Sequence, residues 1–139
     1  MSFREKSAWI ALLAYGGVFG AYFIALWQAW DPANGQPLSI GPLVAAMFAF
    51  VGIVTVLTIV AALLNPKAAN APADEREKLI ELKAERAAAY TLSTGVLLSM
   101  TGLLLGFNGY LIANALLASL VAAELVKAGW QIASFRMGV

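Results

Sequence analysis

Four stretches of this chain are too long and too apolar to be parts of a small soluble core. Ala8 to Trp30, Ile40 to Leu64, Ala87 to Leu105 and Tyr110 to Trp130 are each near or above the roughly 20 helical residues that span the ~30 Å hydrocarbon core of a bilayer. The first has Gln28 as its only strongly polar side chain, and the last reads as apolar up to Ala123 before it meets Glu124 and Lys127. Of 139 residues, 61% are hydrophobic and 12% charged, against about 25% charged in soluble domains, so no soluble fold could hide this much apolar surface. The basic residues Arg4 and Lys6 ahead of the first stretch resemble a signal peptide. That stretch is, however, longer than a signal core of about 7 to 15 residues, and it ends in Trp27 and Trp30 without a small-residue cleavage pattern. It is therefore read as the first of four spans.

The breaks between the spans are equally legible. Asp31 to Pro37 is turn chemistry throughout, and Pro42 sits in the first turn of the second span, where its missing amide hydrogen costs little. Asn65-Pro66 ends that span, and an Ala/Pro linker leads into Asp74 to Arg86, the one densely charged segment. This segment holds four of the nine basic and five of the eight acidic residues. Asp74 after Pro72-Ala73 has the form of a helix cap, and no breaker separates the segment from the third span, so a water-exposed helix is expected to run directly into the membrane. Gly106 to Gly109 allows only a tight turn between antiparallel helices. The expected fold is all-α: an integral-membrane four-helix bundle of two helical hairpins, with a cytoplasmic helical extension over 74–86 preceding the third span.

Orientation follows from the basic residues, which stay on the cytoplasmic side of span ends. Arg4, Lys6, Lys67 to Arg86, Lys127 and Arg136 all fall on one side by this count, and the loops at 31–37 and 106–109 have neither Lys nor Arg. Both termini are expected in the cytoplasm. Trp9, Tyr90 and Trp130 would then mark the inner interface and Trp27, Trp30 and Tyr110 the outer one.

Several function classes drop out. A net charge of +1 gives no basic footprint for nucleic acid. The absence of Cys and His removes disulfides, thiol chemistry, Cys/His zinc sites, haem ligation by either residue and imidazole acid–base roles. No nucleophile elbow, P-loop, metal motif or catalytic dyad is present, so neither a cofactor nor an enzymatic activity is expected. The hydroxyls of Ser93, Ser99 and the third-span threonines are expected to bond helix backbone or a neighbour.

Two constellations remain. Gly16-x-x-x-Gly20 in the first span, and Thr91, Gly95, Ser99, Gly102 and Gly106 along one face of the third, are small-residue surfaces on which helices approach closely. They serve packing within the chain, a seam between copies, or a polar-lined path. Glu124 is the one acid inside a span, and an ionisable group at mid-bilayer costs about 2.5 to 3.5 kcal/mol on insertion scales. Counted from Tyr110 at about 1.5 Å per residue, it lies some 9 Å short of the inner boundary, level with Tyr90 and Thr91. There it is expected to pair with Lys127 or Arg86, or else to bind a proton or cation. The charged helix has Leu79, Ile80 and Leu82 to cover. They could lie on the membrane surface, although the near balance of acids and bases argues against a strong hold on anionic lipid, and a cytoplasmic protein partner or a second copy would cover them equally well.

Phe3-Arg-Glu-Lys-Ser-Ala-Trp9, Asp74-Glu-Arg76 with Leu79-Ile-Glu-Leu-Lys-Ala84 and Arg86, and Glu124-Leu-Val-Lys127 with Arg136 and Gly138 together resemble a group of small bacterial four-span inner-membrane proteins of unknown function. Where that group carries paired aromatics and two adjacent basic residues near its end, this chain has Ser134-Phe135 and Arg136-Met137. The resemblance implies fold and location and supplies no reaction. In size and span count the chain also resembles the small multidrug transporters, but those rely on a membrane-embedded acid in the first span, and Ala8 to Trp30 has none. The expected function is thus a non-enzymatic, self-associating membrane scaffold or regulator with a cytoplasmic partner-binding helix. The alternative is a small transporter or channel for protons, cations or hydrophobic small molecules.

Overall fold

Helix starts and stops follow local chemistry in the computed structural model, which describes residues 3–29 and 41–138. The order is α1 (Phe3–Ala14), a π-helical turn (Tyr15–Phe19), α2 (Gly20–Gln28), α3 (Gly41–Leu64), the single turn α4 (Pro66–Ala69), α5 (Glu75–Leu104) and α6 (Gly109–Met137), with no strand among the described residues. Four helices are long and apolar enough to cross a membrane: Phe3–Gln28, Gly41–Leu64, Glu75–Leu104 and Gly109–Met137. The predicted loop at 31–37, the end of the first span at Trp30 and the start of the second at Ile40 lie outside the described residues.

Asp74 caps α5. Its carboxylate accepts from the Glu75 amide at 2.8 Å, and its own amide donates to Glu77 Oε2 at 3.3 Å, a reciprocal capping box for amides that a helix start leaves unpartnered. Asn108 opens α6 by accepting from the Leu111 amide at 2.8 Å. Between them Gly106 takes φ +88°, a conformation that favours glycine, and the Phe107 amide donates to the Gly102 carbonyl at 3.2 Å. The turn sends α6 back along α5. The two helices make the most extensive contact among the described elements, and they approach closely at Gly95, where a Cβ would overlap the Ser119 side chain. Gly102 faces Ile112 and Phe107, either of which a Cβ would meet at 3.2 Å.

α1 lies on α6 and also touches α3. Further along the first span, α2 makes a buried polar contact with α6: Tyr22 Oη donates to Asn114 Oδ1 at 2.7 Å, and Asn114 Nδ2 donates to the Tyr110 carbonyl at 2.9 Å. The reading of the fourth span as apolar to Ala123 is corrected here, because Asn114 is buried in it with both ends of its amide bonded. At the π-helical turn, Tyr15 and Phe19 hold Phe50 of α3, with ring centroids 4.1 and 5.3 Å apart. Apart from such contacts α3 is bare. None of its residues is buried, and Phe48, Val51, Val56 and Leu63 face outward, a stable state in lipid, whose tails are as apolar as these side chains.

Hydroxyls along the spans bond their own helices. Thr91, Thr94, Ser99 and Thr101 donate to the carbonyls four residues earlier at 2.8 to 2.9 Å, as does Ser119 in α6. The charged start of α5 does not stand alone in water. Ile80 and Ala84 are buried, at 3% and 0% exposure, so the cover they need comes from this chain, while Leu79 and Leu82 stay half exposed. α6 continues past the expected span end at Trp130 to Met137 and reaches the same end of the bundle.

Candidate functional site

That end collects the charges. Arg4 on α1 bonds Glu81 through Nη1 at 2.9 Å and meets Glu77 through Nε at 3.4 Å. Lys127 on α6 donates to Glu85 at 3.3 Å. Arg136 lies 3.9 Å from Glu5 and stacks over Trp9, its guanidinium carbon 5.3 Å from the ring centroid. Trp9, expected as an interfacial anchor, is thus half-buried under a cation, and its Nε1 is enclosed without a hydrogen-bond partner among the described residues. Helical phase explains the pairing on α5. Glu77, Glu81 and Glu85 recur every four residues and share a flank, so one run of acids meets Arg4 on one neighbouring helix and Lys127 on another.

These contacts frame a cavity of about 400 Å³. α1 contributes Arg4 and Ser7, α5 contributes Glu77 and Glu81, and α6 contributes Glu124, Lys127 and Gln131; the alanines of 68–71 close one side. Three carboxylates and two cations line it. Arg4 is engaged by two of the acids and Lys127 by Glu85 outside the lining, so Glu124 is the lining carboxylate with no ion pair among the described residues. A partly buried carboxylate that shares the cavity with Gln131 and Ser7 can accept hydrogen bonds or hold a cation. No group of three or more His, Cys, Asp or Glu side chains among the described residues has the arrangement of a metal site.

The five polar residues expected to cluster at the inner boundary are not brought together. Glu124 and Lys127 line the cavity, but Lys127 reaches across to Glu85 instead of along its own helix to Glu124. Arg86 lies outside the cavity and forms no ion pair within 4 Å among the described residues. One residue after Glu85 on a helix means a turn of about 100°, which carries Arg86 away from α6. Tyr90 is 71% exposed and lines, with Thr91, a separate shallow groove between α5 and α6. The small-residue faces also divide. Gly95, Ser99 and Gly102 pack within the chain and Gly106 makes the turn, whereas around Gly16 and Gly20 nothing among the described residues beyond their own stretch of helix comes within 4 Å of where a Cβ would stand. Sequence reasoning missed Arg4, Glu77 and Glu81 as one site. The four-residue spacing of the acids was the available signal.

No protein-family model, curated protein or solved structure matches the chain.

Proposed function

We propose that this is a non-catalytic, self-associating membrane protein that works as a scaffold or regulator through its charged end. In this reading it is a bacterial inner-membrane bundle of two helical hairpins, with both termini and the start of α5 in the cytoplasm. The observation that carries it is the gathering of polar chemistry at one end: Arg4, Lys127 and Arg136 all find their acids there. Basic residues at span ends remain cytoplasmic, which supports the orientation. Within the spans, the buried Tyr22–Asn114 bond is satisfied and offers no reactive group. The open Gly16/Gly20 face of the first span supports self-association, because small residues let a second backbone approach. A partner segment bearing a cation would enter the cavity beside Glu124.

A second reading, transport of protons or small cations, is favoured by one observation: the cavity reaches Glu124, an acid expected within the inner part of the fourth span. One reconstitution separates the two. In proteoliposomes, the scaffold reading expects no flux of protons or small cations above empty vesicles, and in nanodiscs a particle mass above one copy that Gly20→Leu reduces. Flux that disappears in Glu124→Gln would establish transport instead, and a monomer at every concentration would remove self-association.

A further inference from the structure

We propose that the outer flank of α5, with the groove beside it, binds an anionic phospholipid: headgroup at Lys83 and Arg86, one acyl chain along the α5–α6 groove. This goes beyond the cavity and stands whether or not the cavity receives a partner. The near balance of charge along 74–86 conceals a segregation that folding exposes. At 100° per residue, Glu77 and Glu81 project to the side where α1 lies, and they are taken up by Arg4. Arg76, Leu79, Leu82, Lys83, Arg86 and Tyr90 fall on the opposite arc, and all six are exposed. None of the four basic residues of this segment, Lys78 included, forms an ion pair within 4 Å among the described residues. Glu75 is the one acid on the same arc. The inward side is thus spent on internal pairs, and the outward side carries net positive charge interleaved with leucine.

Depth places that arc at a headgroup layer. Counting about 20 residues back from Leu104 for a ~30 Å core puts the boundary near Glu85, with Arg86 and Lys83 on either side of it and Leu82 within a turn. Each basic residue close to an anionic surface contributes about 1 kcal/mol, or about fivefold in affinity. The groove continues from this level into the span, walled by Tyr90, Thr94 and Leu98 of α5 and Ala118, Ser119 and Ala122 of α6. The Thr94 and Ser119 hydroxyls are already given to the Tyr90 and Ala115 carbonyls of their own helices. Apart from the Tyr90 hydroxyl, what the groove offers a ligand is therefore largely apolar, which fits a chain of methylenes better than an acidic protein segment.

The test uses the intact protein, stripped of lipid in detergent and given equal amounts of phosphatidylglycerol and phosphatidylcholine. Native mass spectrometry is expected to show phosphatidylglycerol retained in preference. Lys83→Gln with Arg86→Gln should weaken that preference about 30-fold, at about fivefold per residue, with unchanged melting temperature in lipid-free detergent because both side chains are exposed. Ala118→Phe, which fills the groove from an exposed position, should reduce retention of both lipids without altering their ratio. Equal retention of the two lipids by the wild type, an unchanged preference in the double variant, or undiminished retention in Ala118→Phe would each overturn the proposal. So would a dimer that the double variant abolishes while lipid preference stays the same, since the arc would then belong to a second copy.

Discussion

α3 and α5 are both long enough to cross the same membrane, yet they are held in opposite ways. α3 buries nothing and leans on the bundle through Phe50 against Tyr15 and Phe19. α5 buries Ile80, Ala84 and Ser99, comes into close contact with α6 at Gly95, and pairs three of its acids with other helices. The difference teaches that apolarity assigns a helix to the membrane without attaching it to a neighbour. Attachment requires small residues, matched polar groups or an aromatic contact, and α5 and α6 have more of these than α3.

Paired substitutions test this contrast. The largest effect belongs to Gly95→Leu, whose side chain has no room against Ser119. Overpacking of this kind costs about 1 to 3 kcal/mol or forces the helices apart, to be read as a fall in melting temperature. Gly52→Leu on α3, where nothing among the described residues outside its own stretch of helix lies within 4 Å of a Cβ, should change it little. Comparable losses at both positions would mean that α3 is packed after all.

Next comes Tyr22→Phe, which removes the donor to buried Asn114. Interhelical hydrogen bonds in membranes average about 0.6 kcal/mol and reach about 1.7, so a modest destabilisation is expected. Asn114→Leu combined with Tyr22→Phe should be less than additive, as coupling between contacting residues requires. Full additivity in a thermal double-mutant cycle would dissolve the pair. The smallest effect is Arg4→Gln. Its partners Glu77 and Glu81 are partly solvated, and such pairs contribute about 0.2 to 1 kcal/mol. High salt should erase most of the difference between this variant and the wild type; a large loss that persists in high salt would show the pair to be more than a screened surface contact.

Local chemistry was readable from the sequence because it depends on neighbours in the chain. Asp74 is followed at the right spacing by Glu77, and Gly106 falls where the helix must stop. The pairing of distant residues was less readable. Tyr22 and Asn114 lie 92 residues apart, and one amide in a long apolar run is easily passed over when the run is judged as a whole. Residue counts along the spans give Glu124 a depth and partners at that depth. Depth left out rotation about the helix axis, which turns Arg86 away from α6 and gives Lys127 to Glu85. The near balance of charge in α5 likewise says nothing about angle, and only the angle separates an acidic flank from a basic one. The π-helical turn at Tyr15–Phe19 had only the adjacent Gly16 and Gly17 as a signal.

The proposed orientation puts the charged end, whose cavity extends to Glu124, on the cytoplasmic side and within reach of water. Because the chain has no cysteine, Glu124→Cys introduces a single reporter, with Glu77→Cys as its control at the charged end. In sealed membrane vesicles of known orientation, both are expected to react with a membrane-impermeant maleimide only from the cytoplasmic face, Glu124→Cys more slowly. A Glu124→Cys thiol that stays unlabelled from either face while Glu77→Cys reacts would mean a dry bundle, and labelling of both from the opposite face would invert the protein.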